Sequence, residues 1–141
     1  MHKQLDLKID AKLENLSVIA DFISSSMSQL GIKAGVFEVQ TAVDEACTNI
    51  IKYAYFEEGG IITITCEVRD NDFVVTIRDR GRPFDPSSVP PPDLEADVDK
   101  RRIGGLGMYL MRKLMDDVNY SFDAKKGNIL VMRKTLTGKK R

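Results

Sequence analysis

Hydrophobic residues recur at three- and four-residue steps along the stretch Phe37 to Tyr55, which is the spacing of a helix with one buried face. Counted from the residue just before this stretch, the apolar positions are Val36, Val39, Val43, Ala46, Cys47, Ile50 and Ala54. Glu45 and Asn49 lie four residues apart at the border of this apolar stripe, so they share one flank of the predicted helix. A carboxylate and a carboxamide placed there face either a pocket or solvent, and this pair alone leaves both interpretations open.

The pattern along the rest of the chain predicts five strands and two further helices. The strands are 4–9, 61–68, 73–79, 118–122 and 129–136, and the helices are 11–30 and 104–115. A turn at 69–72 joins two of these strands as a hairpin. Hairpin-joined strands with helices gathered elsewhere predict an α+β fold, a two-layer sandwich with a mixed, mostly antiparallel sheet and helices on one face. We expect residues 1–141 to form a single domain.

The second strand of the hairpin ends on a carboxylate. Phe73, Val75 and Ile77 share one face of this strand, and Asp79 continues that face. If the strand persists to Asp79, its carboxylate points toward the core and needs either a partner or a ligand. If the strand ends earlier, Asp79 begins the turn that contains Gly81. The alternation of residues does not decide between these alternatives.

Composition narrows the classes of function. The 141 residues are 43% hydrophobic and 30% charged, and the 21 basic residues balance the 21 acidic ones. This balance excludes a general electrostatic attraction to nucleic acid or to a membrane. No apolar run is long enough to cross a bilayer, and the first residues lack a signal-peptide core, so we expect a cytoplasmic protein.

Histidine and cysteine chemistry contributes little to the function. The only histidine is His2, which argues against catalytic triads and metal sites built on histidine. Cys47 and Cys66 fall in the apolar patterns of a predicted helix and a predicted strand, and they lack the spacing of zinc ligands. Both are therefore predicted to be buried, free thiols.

A long irregular segment follows Gly81. Residues 82–103 include three consecutive prolines and a charged run, and loops of this length inside a compact domain are often functional lids or disordered segments. The stretch Gly104 to Gly107 then opens a helix. Free N–H groups and the positive end of the helix dipole favour a phosphate there, although a glycine cluster also serves as a hinge.

Three motifs in this order resemble the GHKL ATPases, whose ATP-binding domain has the Bergerat fold. They are Glu45-x-x-x-Asn49 on a helix, Asp79-x-Gly81-x-x-Phe84 after a strand, and Gly105-x-Gly107 between a lid and a helix. Within that superfamily, the segments AVDEACTNIIKYAY, DRGRPFDP and GGLGMYLMRKLMDDVNY are similar to the anti-sigma factor serine kinases. The resemblance covers almost the whole chain and implies one histidine kinase-like ATPase domain with an ATP lid at 82–103.

The resemblance implies ATP and Mg²⁺ as cofactors, and it gives the matching residues roles. Asn49 would bind Mg²⁺ through its side-chain oxygen. Glu45 would be the general base that takes the proton from an attacking serine hydroxyl. Asp79 would accept a hydrogen bond from the adenine amino group, and Gly81 would keep the approach of the base clear. Phe84 completes this adenine-binding motif.

The phosphates would be bound at the start of the last helix. The implied residues are Gly104, Gly105, Leu106 and Gly107. The charged residues 100–102 (Lys100, Arg101 and Arg102) either reach a phosphate or form a solvated run. Members of this family often carry a threonine near the turn into the last strand, where it helps to hold adenine. Here the turn reads Gly127-Asn128-Ile129, so either Asn128 substitutes for the threonine or the contact is absent.

The resemblance also implies protein partners. The chain would be an ATP-dependent protein-serine kinase whose substrate is a serine on a small antagonist protein of the STAS type. By holding or releasing a transcription factor of the sigma type, it would act in a partner-switching circuit, and a homodimer is implied by resemblance alone. Two rival hypotheses are a module in which nucleotide sets partner affinity without phosphotransfer, and an unrelated α+β interaction domain. Glu45 favours the kinase, because binding alone needs no base.

Overall fold

The computed structural model describes residues 3–85 and 106–136, with the backbone alone for 106–108. The strands are β1 (Gln4–Asp10), β2 (Ile61–Arg69), β3 (Asp72–Asp79), β4 (Asp117–Asp123) and β5 (Gly127–Thr135). The helices are α1 (Leu16–Gln29), α2 (Val36–Asn49) and α3 (Leu106–Leu114). A 3₁₀ turn (Leu13–Asn15) precedes α1, and a π-helical turn (Ile50–Ala54) follows α2.

The strands form one sheet in the order β1-β2-β3-β5-β4. The four strand pairs of this sheet are all antiparallel, which confirms the prediction of a mostly antiparallel sheet. The predicted hairpin is β2–β3, and its turn contains Asp70 at a φ of 55°. The α+β class predicted from the sequence is therefore confirmed.

The core lies between the sheet and the helices. On β3 the predicted face is fully buried, with Phe73, Val75 and Ile77 each 0% exposed. The helices supply the other side of this core through Ile19, Ile23, Met27, Val39, Val43 and Ala46. Cys47 and Cys66 are buried and free, as predicted, and burial raises the pKa of the Cys66 thiol to about 12.

The first helix begins later than the pattern predicts. A helix over 11–30 was expected, but α1 starts at Leu16 and Leu13 is 44% exposed in the preceding 3₁₀ turn. The side chain of Asn15 donates to the carbonyl of Asp10 at 2.9 Å, and such a local bond competes with helix formation. The predicted stop at Gly31 is confirmed, because its φ of 79° favours glycine. Ser26, on the same helix, is buried although it is polar.

The second helix changes its geometry at its end. A single helix was predicted to run to Tyr55, but the α-helical part ends at Asn49 and a π-helical turn follows. In this turn the N–H of Tyr55 donates to the carbonyl of Ile50 at 3.0 Å. Turns of this kind are rare and are frequently found at functional sites.

Candidate functional site

The carboxylate of Asp79 lies at the centre of a hydrogen-bond network. Strand β3 continues to this residue, which pairs with Ile62 on one side and with Asn128 on the other. The side chain is only 4% exposed, and its Oδ1 accepts bonds from the Gly81 N–H and from Asn128 Nδ2, both at 2.8 Å. Of the two alternatives that the sequence left open, the structure supports the core-facing one.

The two hydrogen bonds act on the acidity of Asp79. Burial raises the pKa of this carboxyl, because ionisation in a poorly solvated site is unfavourable. The bonds from Asn128 and from the N–H of Gly81 favour the charged form and act in the opposite direction. The residue is therefore a buried acceptor whose charge is held by two fixed donors.

Gly81 is required where the turn after β3 meets the π-helical turn. A Cβ at this position would lie 2.6 Å from the carbonyl oxygen of Ala54, which is too close for any side chain. The same carbonyl accepts from the N–H of Arg82 at 3.0 Å, and the Arg82 Nε donates to the carbonyl of Tyr53. The hydroxyl of Tyr55 accepts from the N–H of Arg80 at 2.7 Å. The turn is thus attached along one side to the end of the second helix.

Asn128 attaches the same turn along its other side. Besides Asp79, its Nδ2 donates to the carbonyl of Arg82 at 2.9 Å. Its Oδ1 accepts from the N–H of Phe84 at 3.2 Å and from the hydroxyl of Tyr120. The sequence left the role of Asn128 open and gave no signal for Tyr55 or Tyr120. The hydroxyl of Tyr55 contacts a residue 25 positions away, and that of Tyr120 contacts the neighbouring strand.

Three of the predicted site residues line one cavity. Asn49, Asp79 and Phe84 border a space of about 20 Å³. The other lining residues are Ala46, Ile50, Ala54, Ile77, Tyr120, Asn128 and Leu130. The ring of Phe84 stacks on Tyr53, with ring centres 5.3 Å apart and planes inclined by 28°. Because such a volume holds about one water molecule, a larger ligand enters only if the cavity wall moves.

Glu45 lies one helical turn before Asn49 on α2, and both side chains are half-buried. Burial raises the pKa of the Glu45 carboxyl, the Asp44 carboxylate raises it further, and Lys52 lowers it. A raised pKa suits a group that accepts a proton near neutral pH. Glu45 itself is not among the residues that border the 20 Å³ cavity.

The glycine-rich stretch is described only in part. Leu106 and Gly107 begin α3, which packs against α2. The predicted lid spans 82–103, and its part from 86 onward, which includes residues 100–102, lies outside the described residues, as do Gly104 and Gly105.

Within the described ranges, no group of three or more His, Cys, Asp or Glu side chains could hold a metal ion. Asn49 borders the cavity and its side chain carries one oxygen, and Mg²⁺ commonly takes one or two protein ligands together with water and phosphate oxygens. The donor set therefore fits Mg²⁺ carried in with a nucleotide.

A second and much larger cavity lies at the opposite end of the helix-covered side of the sheet, with a volume of about 610 Å³. It is bordered by the loop between α1 and α2, by the end of β5, and by Glu38, Val68 and Asp116. The carboxylate of Asp116 accepts from the N–H of Thr135 at 2.7 Å, and Lys134 donates to the carbonyl of Leu114. None of the described residues that were predicted to carry the chemistry borders this cavity.

No helix in the described part of the chain combines the length and apolar character needed to cross a membrane. The cytoplasmic location expected from the sequence stays a prediction.

Comparison with known proteins agrees with this geometry. The sequence model of the histidine kinase-like ATPase domain family matches residues 9–134. A serine-protein kinase RsbW of Listeria monocytogenes is 34% identical over 145 aligned residues, which cover 99% of this chain and 91% of that protein. One of Bacillus cereus is 32% identical over 126 residues, covering 86% and 79% of the two chains. The chain belongs to the histidine kinase-like ATPase family and, within it, to the serine-protein kinases, which use ATP.

Proposed function

We propose that this protein transfers the γ-phosphoryl group of ATP to a serine on a small antagonist protein of the STAS type, and so controls the release of a sigma-type transcription factor. The observation that carries the proposal is the buried Asp79 carboxylate, which faces the same cavity as Asn49. An acceptor fixed in this way suits the amino group of adenine. The helix that carries Asn49 also carries Glu45, one turn away.

Each residue has a distinct part in the proposed reaction. Bound Mg²⁺ would neutralise charge on the phosphates, and Asn49 would hold it through its side-chain oxygen. Glu45, whose pKa is raised by burial, would take the proton of the serine hydroxyl. Gly107, together with Gly104, Gly105 and Leu106, would present N–H groups to the phosphates at the start of α3.

The proposed consequence for the partner is electrostatic. Phosphorylation adds about two negative charges to the serine and thereby disrupts a surface that must dock against another protein. Homodimerisation is a further implication of the resemblance, and we keep it as a prediction.

The test is transfer of labelled phosphate from ATP, in the presence of Mg²⁺, to candidate antagonist proteins from the same genome. Glu45→Ala should lower the transfer rate by about 10²- to 10⁴-fold, because the general base is lost. ATP affinity should change by less than about threefold, because the base is expected to act on the serine and not on the nucleotide. The matched control is Glu38→Ala, which removes a carboxylate at the other end of the same helix and should leave both quantities unchanged.

The outcomes separate the hypotheses. Tight ATP binding with no transfer to any candidate protein would refute the kinase and support a module in which nucleotide sets partner affinity. Equal transfer by native protein and Glu45→Ala would refute the role of Glu45 while leaving the kinase intact. Absence of ATP binding by the native protein would refute both nucleotide hypotheses.

A further inference from the structure

The side chain of Asn128 uses its whole hydrogen-bonding capacity in the turn after β3. An asparagine amide has two N–H donors and one oxygen that accepts twice. The donors serve Asp79 Oδ1 and the carbonyl of Arg82, at 2.8 and 2.9 Å, with a longer bond to the carbonyl of Gly81 at 3.4 Å. The oxygen accepts from the N–H of Phe84 and from the hydroxyl of Tyr120. At 4% exposure, the residue has little contact with water that could replace these bonds.

The partners fix which way the amide points. The backbone N–H of Phe84 can only donate, and the carbonyl of Arg82 can only accept. A rotated amide would place like groups against each other at both positions. Asn128 therefore presents a donor, and not an acceptor, to Asp79.

This orientation determines what Asp79 can offer to a ligand. With two donors on Oδ1, one from Gly81 and one from Asn128, the carboxylate is stabilised as an acceptor. An acceptor pairs with an exocyclic amino group on a purine, whereas a carbonyl group at that place would meet the carboxylate as a second acceptor. A site built around one polarity of hydrogen bond rejects the opposite one strongly.

The same amide also holds the wall of the cavity. Its oxygen binds the N–H of Phe84, whose ring stacks on Tyr53 beside the cavity. Asn128 thus connects the acceptor that would contact a base with the aromatic residue that closes the space around it. A serine or an alanine at this position could not keep both connections.

We propose that Asn128 is a positioning residue that makes the site selective for a purine with a 6-amino group over one with a 6-carbonyl group, through its simultaneous hold on Asp79 and Phe84. The inference rests on the proposed ATP site. Asn128 needs no contact with the base itself, since its side-chain hydrogen bonds are all made within the protein.

The experiment measures the affinities of the full chain for ATP and for GTP by titration calorimetry. Asn128→Ala should weaken ATP binding by about tenfold, the equivalent of one lost hydrogen bond to a charged group. GTP binding should change by less than about threefold, because no matched acceptor–donor contact is lost there. Asn128→Asp, which keeps the shape and places a second carboxylate against Asp79, should weaken ATP binding further. The matched control is Asn119→Ala on β4, an exposed asparagine whose side chain donates to the carboxylate of Asp117.

A purely structural role would weaken ATP and GTP binding by the same factor in Asn128→Ala, and an unchanged ratio of the two affinities would overturn the inference. If melting curves show that Asn128→Ala is unfolded, the same ratio in Asn128→Ser decides. If the native chain binds ATP and the Asn128 variants keep the native ratio of ATP affinity to GTP affinity, this inference alone is refuted. A native chain that does not bind ATP refutes the proposed function and this inference together.

Discussion

Two cavities within residues 3–85 and 106–136 differ in size and in chemistry, and the smaller one has the more distinctive chemistry. The cavity at the Asp79 end has about 20 Å³, and the one at the opposite end has about 610 Å³, a volume typical of ligand pockets. Yet only the small cavity is bordered by a buried carboxylate with fixed donors, and only its wall is attached to a π-helical turn. Size alone would select the end opposite to the proposed ATP site. We assign that site from the fixed polarity of its buried groups instead.

The strongest test of this contrast exchanges one carboxylate for a carboxamide at each end. Asp79→Asn should weaken ATP binding by about ten- to a hundredfold, because a hydrogen bond to a charged acceptor is lost. Asp116→Asn, at the large cavity, should leave ATP affinity unchanged. Calorimetric titration of both variants with ATP makes the measurement. Similar losses at the two ends would contradict the assignment of the small cavity.

The loss at Asp79 should not come from unfolding. Because the pKa of this carboxyl is raised in the folded chain, the folded state binds the proton more readily than the unfolded one. The ionised carboxylate therefore costs stability as pH rises from the unfolded value, about 3.9, through the raised folded value. We expect Asp79→Asn to melt at the native temperature or above it at neutral pH.

A smaller effect is expected from adding one methyl group at each end. Gly81→Ala forces a Cβ against the carbonyl of Ala54 and should cost about 1–3 kcal/mol in the free energy of unfolding, together with roughly tenfold in ATP affinity. Gly35→Ala, next to the large cavity, meets only Lys134 at 3.4 Å but has a φ of 85°, so it should cost about 1–2 kcal/mol through backbone strain. Denaturant unfolding and ATP titration of both variants separate stability from binding. Loss of ATP affinity in Gly35→Ala would show that the two ends are coupled.

The smallest expected effect is a shift in the pH dependence of phosphotransfer when the charges beside Glu45 are removed. The carboxylate of Asp44 contributes to the raised pKa of Glu45, and Lys52 opposes it. If Glu45 is the base, phosphotransfer should fail as pH falls through its pKa. Asp44→Asn should move this acid limb to lower pH, and Lys52→Met should move it to higher pH. The measurement is the transfer rate against pH at saturating ATP, and a limb that moves in neither variant would argue against Glu45.

Much of the small cavity could be predicted because its residues follow the local periods of the chain. Alternation along β3 puts Asp79 on the core face if the strand reaches that residue, and helical spacing puts Glu45 and Asn49 on one flank of α2. These relations depend on residues two to four positions apart. Asp79 and Asn49 border one cavity, and only the resemblance had brought their two motifs together.

The parts of the fold and of the site that the sequence did not predict depend on contacts between residues that no local pattern relates. The bond between Asn128 and Asp79 spans 49 positions, and the bond between Tyr55 and Arg80 spans 25. The late start of α1 followed from a side-chain bond of Asn15 to the backbone, which competes with helical spacing. The burial of Ser26 could not be predicted for another reason, because three consecutive serines carry no periodic signal.

The π-helical turn makes the length of the segment 50–54 a constraint on this chain. A π turn contains one residue more than the α turn it replaces, and deletion of one residue would let the helix close in the ordinary way. Every later residue would then rotate by about 100° around the helix axis. The carbonyls of Tyr53 and Ala54, which now accept from Arg82, would point elsewhere. The segment should therefore accept replacement of its exposed Lys52 far more readily than the gain or loss of a single residue.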